Sequence, residues 1–180
     1  METRITQFLG HVDTFTRRIA NLETDRWENP SPCEGWSAKD VLDHVIDTQR
    51  DVFSKRGLEL GPRPEGAPHE TWAAHAAAVR SAVTDEETLL ATYDSFFGPT
   101  TLADTLLSFY RLDLIIHAWD IQRAAGNNLE LSDAELTFLE TCIPSWGDVF
   151  HQDGICKQPV EVPDDADRQT RVLALTGRRC

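Results

Sequence analysis

Between residues 108 and 126 the chain reads "SFYRLDLIIHAWDIQRAAG", a run dominated by Leu, Ile, Phe, Tyr and Trp that an aspartate and a histidine interrupt. It closes on Gly126-Asn127-Asn128, a good C-terminal stop, and predicts a helix over about 101–125. Carboxylates and imidazoles are costly to bury unless something pairs with them. Asp113 and His117 must therefore reach solvent, pair with each other, or hold a ligand. A helix advances about 100° per residue, so these two, four apart, project from the same side. Leu106, Tyr110, Ile121 and Ala124 fall within about 60° of them, whereas Asp104, Ser108, Arg111 and Gln122 cluster opposite. The pair faces inward.

The rest of the chain reads as further helices. Ile5, Phe8, Leu9, Val12, Phe15, Ile19 and Leu22 recur at the spacing of one helical face over 3–22. "RWENPSPCEGW" cannot continue that helix and reads as an ordered loop. In "WSAKDV" Ser37 and Asp40 form a capping-box signal, with Trp36 placed to staple onto Val41, and a second helix runs to about Phe53. A Pro- and Gly-rich stretch ends it, and the Ala-rich residues 70–82 predict a third. "TLLATYDSFFGPTT" suggests a short extended excursion or hairpin. Ser132 and Glu135 cap a fifth helix that should stop at Pro144, and Val172, Leu173 and Leu175 mark a tail segment that docks back on the core. The expected architecture is an all-α four-helix bundle with an extra helix and a hairpin, as one domain over 1–180.

Composition excludes several function classes. A net charge of -13 with no basic run to offset it would be repelled by phosphate backbones and anionic lipid, so neither nucleic acid nor membrane is an expected partner. No stretch approaches the roughly 20 apolar residues of a membrane span. The opening "METRITQFLGHVDTFTRRIA" has no apolar signal region, so the chain is expected in the cytoplasm. Cys33, Cys142, Cys156 and Cys180 contain no C-x-x-C pair and read as reduced structural thiols. A catalytic cysteine would want a base or positive charge nearby, and Cys33 has Glu34 beside it instead.

An inward Asp–His pair is compatible with a satisfied core hydrogen bond. It is equally compatible with a metal site, because a carboxylate oxygen and an imidazole nitrogen at i and i+4 converge on one cation. A third ligand would then come from a neighbouring helix. His44 in "DVLDHVIDTQR" is the best candidate, although it lies at the margin of its apolar stripe and has Asp40 and Asp47 within one turn. His11, His69, His75 and His151 have no metal-ligating residue at i+3 or i+4 on a well-defined helix. Tyr110 either lines a pocket or packs in the core, Asp120 either orients His117 or pairs with Arg123, and Trp36 and Trp119 read as packing residues.

Three stretches, "PSPCEGWSAKDVLDHV", "RLDLIIHAWDIQRAAG" and "RVLALTGR", resemble the actinobacterial DinB-like proteins that share the N-terminal domain of mycothiol-dependent maleylpyruvate isomerase. The resemblance implies a four-helix bundle holding a divalent metal, usually Zn2+ with Ni2+, Mn2+ or Fe2+ as alternatives, through His44, Asp113 and His117. The family's carboxylate is a glutamate, so with the shorter Asp113 the metal either sits closer to its helix or is reached through a water. Three protein ligands leave an open position. In the family reading a low-molecular-weight thiol such as mycothiol takes it, becomes a thiolate and attacks a small electrophile. That implies a thiol-dependent S-transferase or isomerase, as a monomer or homodimer. The isomerase's separate C-terminal domain is not in the sequence, so maleylpyruvate is not the expected substrate. Zinc-water hydrolysis and non-catalytic metal or small-molecule binding are the alternatives.

Overall fold

The first two long helices each begin where a side chain satisfies an otherwise unpaired backbone N–H. In the computed structural model, which describes residues 3–84, 86–95, 98–152 and 154–179, Thr3 caps α1 (Arg4–Ile19), and the expected Ser37/Asp40 capping box opens α2 (Ala38–Lys55). Pro68 opens α3 (Pro68–Ala82), two residues earlier than the composition suggested. A proline at the first helical position loses no intrahelical bond. A short α4 (Glu86–Leu90) leads into an antiparallel hairpin of β1 (Thr92–Ser95) and β2 (Gly98–Thr101), with Thr92 opposite Thr101. The hairpin is the excursion expected there, although Phe96 and Phe97 lie outside the described residues.

The helix expected over 101–125 is present in three consecutive pieces: α5 (Leu102–Thr105), a π-helical turn (Leu106–Tyr110) and α6 (Arg111–Ala124). Nothing in the composition announces the π-turn. Of the four residues assigned to a polar face, Gln122 is in fact buried, where its amide donates to the Arg18 carbonyl and accepts from Asn127. The reason is position. α6 packs against both α1 and α2, α3 also packs against both, and every residue from Leu112 to Gln122 is buried. A helix in the middle of a bundle has no solvated stripe.

The described residues form two compact units, 1–127 and 128–180. The first is the four-helix bundle of α1, α2, α3 and the α5–α6 helix, with Phe8, Phe15, Phe53 and Trp72 in its core. Its interior also encloses His75, whose Nε2 is 3.0 Å from Gln49 Oε1. The second holds α7 (Asp133–Ser145) and α8 (Arg168–Ala174), packed on one another. α7 continues through Pro144 instead of stopping there, since the one hydrogen bond that proline forgoes falls in the last turn. No helix among the described residues is long and apolar enough to cross a membrane. Among the described residues Cys33, Cys142 and Cys156 form no disulfide; Cys180 lies outside them.

Gly177 closes α8 with φ +76°, and a Cβ there would stand 2.6 Å from Lys157 Cβ and 3.0 Å from the Gln158 carbonyl oxygen. Gly177→Ala is therefore expected to cost about 1–3 kcal/mol, read as a lower urea midpoint with an unchanged slope. A midpoint equal to wild type would show that the turn relaxes freely.

Candidate metal centre

α6 presents Asp113 and His117 one turn apart, and α2 presents His44 opposite them. His117 Nε2 lies 3.2 Å from Asp113 Oδ1, and His44 Nε2 lies 3.8 Å from the same oxygen. The two imidazole rings meet edge to face with centroids 5.1 Å apart. One ligand atom from each of the three residues falls within 4.8 Å of the others. The rival partners of His44 are engaged elsewhere: Asp40 in the cap with Ser37, and Asp47 with Arg63. His69, His75 and His151 bond to the Leu22 carbonyl, Gln49 and the Lys157 carbonyl respectively.

Access is one-sided. The His44 side chain is 31% exposed, while those of Asp113 and His117 are 8% and 10% exposed. Beside His44 stands Trp36, with ring centroids 4.9 Å apart. Trp36, which the sequence presents as a packing residue able to staple onto Val41, is 38% exposed. Tyr110 is buried and donates from its hydroxyl to the Thr48 carbonyl at 2.8 Å, tying the end of the π-turn to α2. Burial, reinforced by the Asp113 charge, pushes its phenol well up.

Behind His117 the arrangement continues. Its Nδ1 is 2.9 Å from Asp120 Oδ2, and because an ionised carboxylate only accepts, the imidazole N–H donates. Cys33 donates its thiol to the same Oδ2 at 3.3 Å. Asp120 is fully buried and Arg123 is exposed, so of its two expected roles Asp120 is placed for the bond to His117. The contact with Cys33 was missed. Its only sequence trace is the position of Cys33 in the loop motif ahead of the Ser37 cap.

Electrostatics couple these groups. Burial works against the Asp113 carboxylate, but the neighbouring His117 and then His44 outweigh it and hold the carboxyl well below its ordinary range. Burial also works against an imidazolium at His117, and the carboxylates of Asp113 and Asp120 override it, raising that group well above its ordinary value. Asp113 Oδ2 nonetheless remains buried with no hydrogen-bond partner. A buried acceptor left unmade costs roughly 1–3 kcal/mol. Two imidazole nitrogens, a carboxylate with an unused oxygen and one open side suit zinc and several other first-row divalent ions.

Comparison with known proteins places these residues in a family context. The family model described as the mycothiol maleylpyruvate isomerase N-terminal domain matches residues 9–122, which include all three converging side chains. Two Mycobacterium tuberculosis proteins, one from strain CDC 1551 / Oshkosh and one from strain ATCC 25618 / H37Rv and both described as uncharacterized, are each 29% identical over 128 residues. The match covers 69% of this chain and 68% of each relative. No solved structure matches the chain.

Proposed function

The chain belongs to the mycothiol maleylpyruvate isomerase N-terminal domain family, and from that premise we propose that it is a DinB-like metal protein acting as a mycothiol-type thiol-dependent S-transferase or isomerase on a small electrophile. His44, Asp113 and His117 would hold the divalent cation, with zinc the first choice. The observation that carries the reading is Asp113 Oδ2, a buried carboxylate oxygen with no hydrogen-bond partner beside two imidazoles. When bound, such a cation supplies a Lewis acid that lowers the pKa of a thiol or water at its open position.

The chain's own groups support this chemistry. Asp120 accepts the Nδ1–H of His117, which fixes the ring so that Nε2 would face a cation shared with Asp113 and His44 once that cation has displaced the Nε2 proton. Asp113 and His117 are buried on α6, while the part-exposed His44 and the Trp36 ring beside it would border the side from which a thiol and its electrophile arrive.

The test is metal content by mass spectrometry on untagged protein purified without added metal. Near one metal per chain is expected in wild type and none in His117→Ala. The loaded protein should then consume electrophiles only when a low-molecular-weight thiol is present. Turnover without thiol would replace this reading with hydrolysis. Metal absent from wild type, and not taken up from added zinc, would end it. Zinc uptake should weaken as the pH falls, because the cation must displace the proton that Asp113 and Asp120 hold on His117.

A further inference from the structure

Burying a carboxylate is costly unless hydrogen bonds satisfy its oxygens, and Oδ2 of Asp120 has donors from two different parts of the chain. One is His117, three residues earlier on α6; the other is Cys33, 87 positions away in the loop before α2. That loop is built to hold the thiol still. Pro30 bridges to Ser37, the Ser31 N–H donates to the Trp36 carbonyl at 2.8 Å and the Trp36 N–H donates to the Cys33 carbonyl at 3.0 Å. The Cys33 N–H donates to Ser31 Oγ at 3.1 Å, and Gly35 supplies the positive φ of 80° that the reversal needs. Asn29 pins the loop to α6 by donating to the Ala124 carbonyl at 3.0 Å.

We propose that Cys33 is a positioning residue for the metal centre: its thiol holds Asp120 Oδ2 on the Nδ1–H of His117 and so aims Nε2 at the position where a cation would meet Asp113 and His44. This rests on the reading that His44, Asp113 and His117 hold the cation. Cys33 does not itself bind metal or substrate. It acts on His117 through Asp120 and through its own contact with that ring, and partners at this remove tune affinity through the orientation and basicity of the ligating ring. A hydroxyl can do the same work, whereas a methyl or isopropyl group cannot.

Cys33→Ala, Cys33→Val and Cys33→Ser test it in the full chain. Cys33→Val fills the volume without a donor, so it guards against a cavity being mistaken for a lost hydrogen bond. Zinc affinity, measured by chelator competition, is expected to fall about tenfold in the Ala and Val variants and to recover in Ser to near wild type. The Nδ1 proton of His117, followed by nitrogen-15 NMR without metal, is expected to shift and exchange faster in Ala and Val but not in Ser. Packing alone would move neither readout in a way that serine rescues. Affinity and resonance unchanged in Ala and Val would overturn the proposal. So would a thiolate-to-cobalt charge-transfer band in the cobalt-loaded wild type that is lost in Cys33→Ala, since Cys33 would then be a ligand. If wild type takes up no metal, the proposed function fails on its own, and the resonance of His117 still decides whether Cys33 positions it.

Discussion

Zinc supplied at about a hundred times its dissociation constant is expected to raise the melting temperature of the wild-type chain by about 5–10 °C and to leave Asp113→Asn unmoved. A ligand at that excess stabilises the native state by about 2.7 kcal/mol, and a chain of this size shifts by about 2–4 °C per kcal/mol. The asparagine is chosen because it keeps the shape and burial of Asp113 but removes the charge that a cation needs. It also removes the carboxylate that holds a proton on His117, so its baseline melting temperature will differ from wild type. The zinc-dependent increment is therefore the quantity compared. Equal increments in both proteins would put the binding elsewhere in the chain. No increment in wild type would leave Asp113, His117 and His44 as a cluster that holds no cation.

Acid supplies the second large effect, and it is independent of metal. His75 is wholly buried in the first unit, and burial, reinforced by the positive charge of Arg50 and Arg63 and opposed by Asp47, pulls its pKa from 6.5 down to about 4. In the unfolded chain the same imidazole takes up its proton near 6.5. Between these values the unfolded state binds more protons than the native state, so stability falls as the pH falls through the window and is fully present above it. The loss amounts to about 3 kcal/mol. His75→Gln keeps a group able to bond Gln49 but cannot titrate. The difference between the wild-type and variant unfolding free energies, from urea curves at a series of pH values, should therefore change by that amount across the window. A flat difference would mean that His75 is protonated within the native core, or that water reaches it.

The periodic parts of the fold were legible in the residues. Apolar spacing in α1 and α2, and the Ser37/Asp40 and Ser132/Glu135 caps, act over one or two turns, so a linear reading captures them. The inward pair on α6 was legible for the same reason. His44 was less so, because its placement depends on how two helices face each other rather than on its own stripe. The link from Cys33 to Asp120 was not legible at all: it joins a non-repeating loop to a helix 87 positions away, and a lone cysteine flanked by Glu34 carries no local mark of such a bond. Trp36 misled because its place beside the Ser37 cap suits a hydrophobic staple, whereas its ring lies against His44. Gln122 misled because polarity stands for exposure only where a helix has a solvent side.

The π-turn at Leu106–Tyr110 acts as a phase slip in an otherwise continuous helix. A wide turn holds one residue more than an α-turn of similar height, so the segments on either side of it need not share a rotational setting. Ahead of the slip, α5 answers to the hairpin and to the start of α1, with Thr105 bonded to Tyr93 and Asp104 paired with Arg4. Beyond it, α6 answers to α2, with Asp113 and His117 turned to His44. The helix thereby serves two neighbours with conflicting angular demands, and changes in the hairpin can accumulate without rotating the ligand-bearing face out of alignment.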